Sequence, residues 1–96
     1  MVTHIVMFSL KDKSDKNIEK TRDILLSMDG KIPELKSIEV GIDFLRSERS
    51  YDLVLITKFN SRQDLDNYQD HPYHVDVVKK HMHEVRESSV AVDYET

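Results

Sequence analysis

Two short stretches of this chain are apolar on both of their alternating faces, and this pattern constrains the fold more than any other. The first, VTHIVMFSL, covers Val2–Leu10, and the second, YDLVLITKF, covers Tyr51–Phe59. A strand whose two faces are both apolar is covered on both sides, so both stretches are expected in the centre of a sheet. The alternating positions are Val6, Phe8 and Leu10 against Ile5 and Met7 in the first stretch, and Leu53 and Leu55 against Val54 and Ile56 in the second.

The segments between them have helical patterns. Ser14 is the expected N-cap of a first helix, whose apolar stripe runs to residue 32 and which Gly30 and Pro33 should end. Ser61 has capping-box spacing to an acidic residue and opens a second helix, which must stop near His71 because Pro72 follows. A further helical run is expected after Pro72, with one stripe formed by His74, Val78, His81 and Val85.

Two half-polar strands complete the pattern. Residues 35–45 alternate, and their inward set is expected to be Ile38, Val40, Ile42 and Phe44. SSVAVDYE, residues 88–95, closes the chain as a short strand. The order βαββαβ predicts one domain, residues 1–96, with a ferredoxin-like α+β fold: a four-stranded antiparallel sheet with helices on one face.

This arrangement leaves the second face of the sheet uncovered although it is apolar. At roughly 25 cal/mol per Å² of buried apolar surface, a chain that left the six side chains of this face exposed would lose several kcal/mol of possible stabilisation. We therefore expect a homodimer that packs sheet to sheet into an α+β barrel, the alternative being a monomer with an exposed apolar face. The expected interface residues are Ile5, Met7, Val54, Ile56, Val90 and Val92.

Composition excludes several classes of function. The net charge is −4 and no long basic run occurs, which disfavours a nucleic-acid partner. No segment approaches the ~18 apolar residues of a membrane helix, and the apolar start reads as a strand rather than a signal peptide. The chain has no cysteine, so thiolate chemistry is excluded and a reducing cytoplasm is the expected location.

The stretch YQDHPYH, Tyr68–His74, holds the most chemically suggestive residues. Histidine titrates near neutral pH and a tyrosine hydroxyl can donate a proton, so His74 and Tyr68 are candidates for an acid–base pair. In the alternative reading, Tyr68 packs its ring under a helix and His74 satisfies a buried carbonyl. His4 shares the helix-facing side of its strand with Val6 and Phe8, where it is expected to line the same pocket.

Other polar residues give weaker signals. His71 either lines the pocket or seals the helix break, and Lys36 lies at its mouth or is solvated. His81 and His83 diverge by about 200° on a helix and cannot share a metal, so we assign them a structural role. The carboxylates are dispersed, and we expect neither a metal site nor a cofactor.

The chain resembles the stress-responsive A/B barrel (Dabb) family along its whole length, in HIVMFSLK, in YDLVLITKFNSRQDLDNYQDHPYH and in VAVDYE. The resemblance implies a dimeric α+β barrel. A distantly similar member, plant olivetolic acid cyclase, closes a polyketide ring with a histidine and a tyrosine, which correspond to His74 and Tyr68. His4, Lys36 and His71 match pocket positions, whereas Leu53 replaces a pocket histidine and makes the wall more apolar.

These observations predict an apolar small-molecule pocket. The first hypothesis is a cofactor-free enzyme, similar to a cyclase or isomerase, that acts on an apolar or aromatic carbonyl compound. The second is a ligand-binding or stress-associated interaction module without turnover, and an oxygenase of the same shape is the third. The expected pocket residues are His4, Val6, Phe8, Lys36, Ile38, Val40, Leu53, Leu55, Tyr68, His71 and His74.

Overall fold

The computed structural model describes all 96 residues and has the predicted α+β fold. One antiparallel sheet has the strand order β2-β3-β1-β4, so the two doubly apolar strands, β1 and β3, are central. The strands are β1 Val2–Leu10, β2 Ser37–Ile42, β3 Leu53–Phe59 and β4 Arg86–Glu95. The helices are α1 Asp15–Leu26, α2 Arg62–Asp70, and a π-helical segment, His74–Lys79, that continues as α3 Lys80–Val85.

Both predicted N-cap residues, Ser14 and Ser61, are confirmed. The hydroxyl of Ser14 accepts a hydrogen bond from the backbone N–H of Asn17 at 3.3 Å. The hydroxyl of Ser61 accepts one from the N–H of Asp64 at 3.1 Å. Each bond satisfies an N–H that has no partner inside the helix. Helix α2 ends at Asp70 because the next residue, His71, is extended (ψ 135°) before Pro72.

Helix α1 ends earlier than predicted. Its last residue is Leu26 rather than one near Gly30, and tight turns follow up to residue 31. Gly30 lies in one of these turns with φ 78°, a left-handed conformation that glycine adopts without strain. The turns still direct Met28 and Ile32 into the core, where both are buried. The apolar stripe was therefore a correct guide to burial although not to helix length.

Strand β2 is shorter than predicted, and the assignment of Phe44 to the inward set is wrong. The strand ends at Ile42, which is itself partly exposed, and the Asp43 carboxylate then accepts the Arg46 backbone N–H at 2.7 Å. Arg46 has φ 57°, so a turn replaces the last part of the predicted strand. Phe44 is consequently 92% exposed.

The core lies between the helices and one face of the sheet. Thirteen hydrophobic residues form it, drawn from all helices, from β1 and β3, and from the segment after α1 that contains Met28 and Ile32. The opposite face of the sheet, called the outer face here, has no helix on it, and Val90 and Val92 are 42% and 59% exposed. All the helices are too short or too polar to serve as membrane spans.

Candidate functional site

A cavity of about 240 Å³ lies between the helices and the β1–β4 side of the sheet. It has an apolar interior, and its polar residues come from several different elements. The strands contribute His4, Val6, Phe8, Leu55, Arg86 and Ser89, and the helices contribute Leu25, Tyr68, Gln69, His74, Val78, Lys79, Met82 and His83.

The space exists because β4 presents small or short side chains to the helices. In the β1–β4 register, Phe8 is opposite Ser89, Val6 is opposite Ala91 and His4 is opposite Asp93. Residues directly opposite in an antiparallel pair point to the same side of the sheet. Ser89 and Ala91 are too small to fill the volume beside Val6 and Phe8, so a cavity remains next to this edge strand.

His4 is fixed by a carboxylate from the neighbouring strand. Its Nδ1 contacts the Oδ1 atom of Asp93, and the imidazole is buried whereas the carboxylate is half exposed. An ionised carboxylate only accepts hydrogen bonds, so Nδ1 must carry the proton in this pair. In its neutral form, His4 therefore has its lone pair on Nε2.

His74 is fixed in the same tautomer by the backbone. Its Nδ1 lies 3.1 Å from the carbonyl oxygen of Gln69, which can only accept a hydrogen bond. Burial lowers the pKa of His74, and nearby positive charge from Lys79, His4 and His71 lowers it further, although the bond to Gln69 opposes this shift. The imidazole is thus neutral at physiological pH, with a basic Nε2.

Tyr68 packs its ring between the two histidines. Its ring centroid lies 4.6 Å from that of His74 and 6.3 Å from that of His4, and Phe59 packs against it at 4.9 Å. The hydroxyl donates to the Met28 sulfur at 3.5 Å, and burial raises its pKa, so it stays protonated. The predicted residues are therefore together, but the tyrosine contacts the histidines through its ring.

The Nε2 atoms of both histidines have no protein hydrogen-bond partner, yet neither is a buried unsatisfied atom. Each is consequently reached by solvent, and both side chains line the cavity. Two nitrogens of this kind can accept a proton from a bound molecule or donate one to it. No group of three or more potential metal-ligating side chains is present.

Six of the predicted pocket residues line the cavity, and five do not. The six are His4, Val6, Phe8, Leu55, Tyr68 and His74. The other five lie outside the cavity wall: Lys36, Ile38, Val40, Leu53 and His71.

Three of the five lie at or beside β2, the edge strand farthest from β4. Lys36 is exposed and uses its backbone N–H to bind the Lys58 carbonyl, while Ile38 and Val40 pack against the core. Leu53 is fully inside the core. The Nδ1 of His71 accepts the Tyr73 N–H at 3.1 Å, so this side chain caps the helical segment that follows the break.

The sequence prediction missed the far wall of the cavity because the last helical run is not a regular α-helix. The π-helical segment uses i→i+5 bonds, which add one residue to its turn. Each later residue of the helix therefore lies on a different face from the one that a regular α-helix would give it. Met82, rather than His81, is therefore buried, and His83 lines the cavity. His81 instead lies 3.1 Å from the Thr21 hydroxyl, in keeping with a structural role.

Comparison with protein families places the whole chain in one known domain family. The family model described as Stress responsive A/B Barrel Domain, or Dabb, matches residues 2–96. The chain belongs to the Dabb family. No curated protein matches its sequence.

Solved structures show the same fold as this Dabb domain. A dimeric ferredoxin-like protein of unknown function from Bacteroides fragilis is 30% identical, with 99% of this chain and 95% of that chain covered and a TM-score of 0.84. A second such dimeric protein, from Thermobifida fusca, is 25% identical, with coverage of 99% and 90% and a TM-score of 0.84. A hydroxynitrile lyase from Passiflora edulis is 22% identical, with coverage of 97% and 90% and a TM-score of 0.83, and shares the fold.

Proposed function

We propose that this Dabb domain is a cofactor-free enzyme that transfers a proton at a carbon next to a carbonyl group, as an isomerase or cyclase does. The observation that supports this most is the pair of imidazoles at one apolar cavity, each bound through Nδ1 and each with Nε2 accessible. A base for this reaction needs a pKa near or below the working pH. The neutral state of partly buried His74 meets this requirement.

In the proposed step, the Nε2 atom of His74 takes the proton from the carbon next to the carbonyl. The C–H electron pair forms the C=C bond of an enolate, and the negative charge moves to the carbonyl oxygen. His4, in its imidazolium form, donates from Nε2 to that oxygen while Asp93 stabilises the imidazolium charge. Where the enolate is conjugated with a further C=C bond, return of the proton from His74 to the far carbon completes a double-bond isomerisation. Attack of the enolate carbon on a second carbonyl forms a C–C bond, and the resulting alkoxide takes the proton from His74, which completes a cyclisation.

Tyr68 acts as a positioning residue in this proposal. Its ring separates and orients the two imidazoles, and its hydroxyl is bound to the Met28 sulfur. The sequence predicted instead that the hydroxyl is the proton donor of an acid–base pair with His74, which would require the bond to Met28 to break. Replacing only the hydroxyl distinguishes the two roles.

We also propose that the protein is a homodimer joined through the outer faces of two sheets. Its similar structures from B. fragilis and T. fusca are described as dimeric. The predicted interface residues Met7, Val90 and Val92 are exposed in one chain, and a second copy would bury them. The cavity lies on the other side of the sheet, so this dimer leaves the site accessible.

Solvent deuterium exchange tests the catalytic proposal. Two probes of similar shape are used, 2-oxo-4-phenylbutanoate and 4-phenyl-2-butanone, and proton NMR in D₂O follows the CH₂ group next to each carbonyl. Wild-type protein should accelerate exchange beyond an equal concentration of imidazole. His74→Gln should lower the rate by about 100-fold or more, the usual contribution of a general base.

The matched control is His81→Gln, because His81 is a partly buried histidine of the same helical run outside the cavity. Its exchange rate should stay close to that of wild type. Tyr68→Phe should also keep most of the exchange rate. A loss as large as that of His74→Gln would show that the Tyr68 hydroxyl is the proton donor. Equal rates for wild type and His74→Gln would refute the proposed base.

A binding module without turnover is the second candidate. The bond from the Tyr68 hydroxyl to Met28 favours it, because that bond occupies one of the two groups predicted to do the acid–base work. In this case the probes would bind to the wild-type cavity, as a thermal-shift assay would show, without any exchange above the imidazole background.

A further inference from the structure

The charges that line the cavity have the opposite sign from the protein as a whole. The chain has 18 acidic and 14 basic side chains, which give a net charge of −4. Lys79 and Arg86 nevertheless line the cavity, and none of the lining residues is Asp or Glu. An anion that enters the cavity therefore meets two cations and no carboxylate in its wall.

Neither cation is paired within the protein. The ion pairs of the structure involve other lysines and arginines, such as Lys13 and Arg46 around Asp52. Arg86 donates from Nη1 to the Ser89 hydroxyl at 3.2 Å, and both residues line the cavity. This bond leaves the other donors of the guanidinium available for a bidentate contact.

The positions of these groups fit an amphipathic organic acid. Both cations are exposed, whereas Phe8, Leu25 and Leu55 line the same cavity with buried apolar side chains. A carboxylate bound at the exposed edge keeps part of its hydration and gains a charge-assisted hydrogen bond. The reacting carbonyl and its CH₂ group would then lie beside the two histidines, and the apolar tail against Phe8, Leu25 and Leu55.

We propose that the cavity selects substrates that bear a carboxylate next to or near the reacting carbonyl, that is, 2-oxo or 3-oxo acids with an apolar tail. Arg86 binds the carboxylate and Lys79 adds a second positive charge at the same edge. This inference rests on the proposed function for its site and adds the substrate class.

The two probes test this inference because they differ only in a carboxylate that replaces a methyl group. Each exchange rate is divided by the rate with free imidazole, which corrects for the intrinsic acidity of the C–H bond. Wild type should prefer the oxo acid over the ketone by about tenfold or more, and Arg86→Gln should lower this preference by a similar factor through KM. Raising NaCl from about 0.05 M to about 0.5 M should raise KM for the acid much more than for the ketone.

Arg22→Gln is the matched control, because Arg22 is a partly exposed arginine on α1 that pairs with Asp23 away from the cavity. It should retain the wild-type preference. Lys79→Gln should lower the preference in part, and Arg86→Lys should restore some of it, so the test does not depend on the folding of one variant.

The outcomes separate this inference from the proposed function. Equal handling of acid and ketone by wild type, or an unchanged preference in Arg86→Gln and Lys79→Gln, overturns the carboxylate assignment and leaves the base in place. Absence of exchange with both probes overturns the proposed reaction. If the acid still binds in that case and Arg86→Gln weakens its binding by about tenfold, the carboxylate site stands.

Discussion

At the residue scale, the hydrogen bond from His74 to the Gln69 carbonyl joins two readings that the sequence left as alternatives. Satisfying a buried carbonyl was the structural reading, and acting as a base was the functional one. The bond does satisfy the carbonyl, and by doing so it fixes the proton on Nδ1 and leaves Nε2 basic. A structural contact and a catalytic role are therefore compatible in the same side chain.

The lowered pKa of His74 predicts that the protein loses stability in mild acid. Burial holds its folded-state pKa below the ordinary value of 6.5. As the pH falls below about 6.5, the unfolded chain takes up a proton that native His74 does not. The free energy of unfolding should therefore decrease with falling pH, by up to ~1.4 kcal/mol per pH unit for this one proton, until the folded-state pKa is reached.

This effect is measured by urea unfolding of wild type and His74→Gln between pH 8 and pH 5, which is roughly the range in which histidine titrates. The variant should show a smaller pH dependence because glutamine does not titrate. The pKa of His81 is also lowered by burial, so His81→Gln should reduce the dependence as well. Parallel curves for wild type and His74→Gln would contradict the assignment of a depressed pKa to His74.

At the scale of elements, the π-helical segment His74–Lys79 decides which residues of the last helix meet the cavity. A regular α-helix would place His81 on the stripe that contains His74 and Val78, as the sequence predicted. The extra residue in the π turn places Met82 there instead, and it is 5% exposed. The same shift brings Lys79 and His83 to the cavity wall.

This shift predicts that Met82→Ala costs more stability than His81→Ala. Truncating a buried methionine removes apolar contacts and leaves a space, at about 2–5 kcal/mol, although the adjacent cavity favours the lower end. Removing the His81 imidazole costs one partly buried hydrogen bond to Thr21, about 1 kcal/mol. Urea unfolding at about pH 7 compares the free energies of unfolding of the two variants. The reverse order would mean that a regular α-helix forms in solution.

At the scale of the whole molecule, the uncovered outer face is the largest unexplained feature of one chain. Its valines lie opposite β1 residues in the sheet, with Val90 paired to Met7 and Val92 paired to Ile5. The exposed Phe44 and Leu45 extend from the β2–β3 connection, and Phe44 lines a second apolar hollow together with Met7. These features form one apolar surface that a second copy is proposed to cover.

A matched pair of substitutions tests the proposed dimer. Val90 on the outer face and Val77 on the helical side are 42% and 40% exposed in one chain. Val90→Lys should convert the dimer to a monomer in analytical ultracentrifugation, because burying an unpaired lysine at the interface costs several kcal/mol. Val77→Lys should remain dimeric.

The control carries the same charge at nearly the same exposure, so a general effect of added charge would affect both variants. A wild-type protein that sediments as a monomer would contradict the dimer itself. A Val90→Lys variant that stays dimeric would show that another surface forms the interface.

The sequence by itself determined the elements, their order and the sides of the sheet. Doubly apolar β1 and β3 had to be central, and the caps at Ser14 and Ser61 and the break at Pro72 fixed three helix boundaries. These features are local: they depend on the period of the apolar residues and on single-residue backbone preferences. The inward direction of His4, with Val6 and Phe8, followed from the same alternation.

Only the tertiary structure decided which distant residues meet. The contact between His4 and Asp93 depends on the β1–β4 register, which alternation along one strand does not specify. The direction of the Tyr68 hydroxyl depends on where Met28 is packed, and the position of Arg86 depends on the extra residue in the π turn and on the strand that follows it. The period of the apolar residues and the backbone propensities are properties of one segment. The register of paired strands and the face that a helix turns to the core are set only when two segments pack.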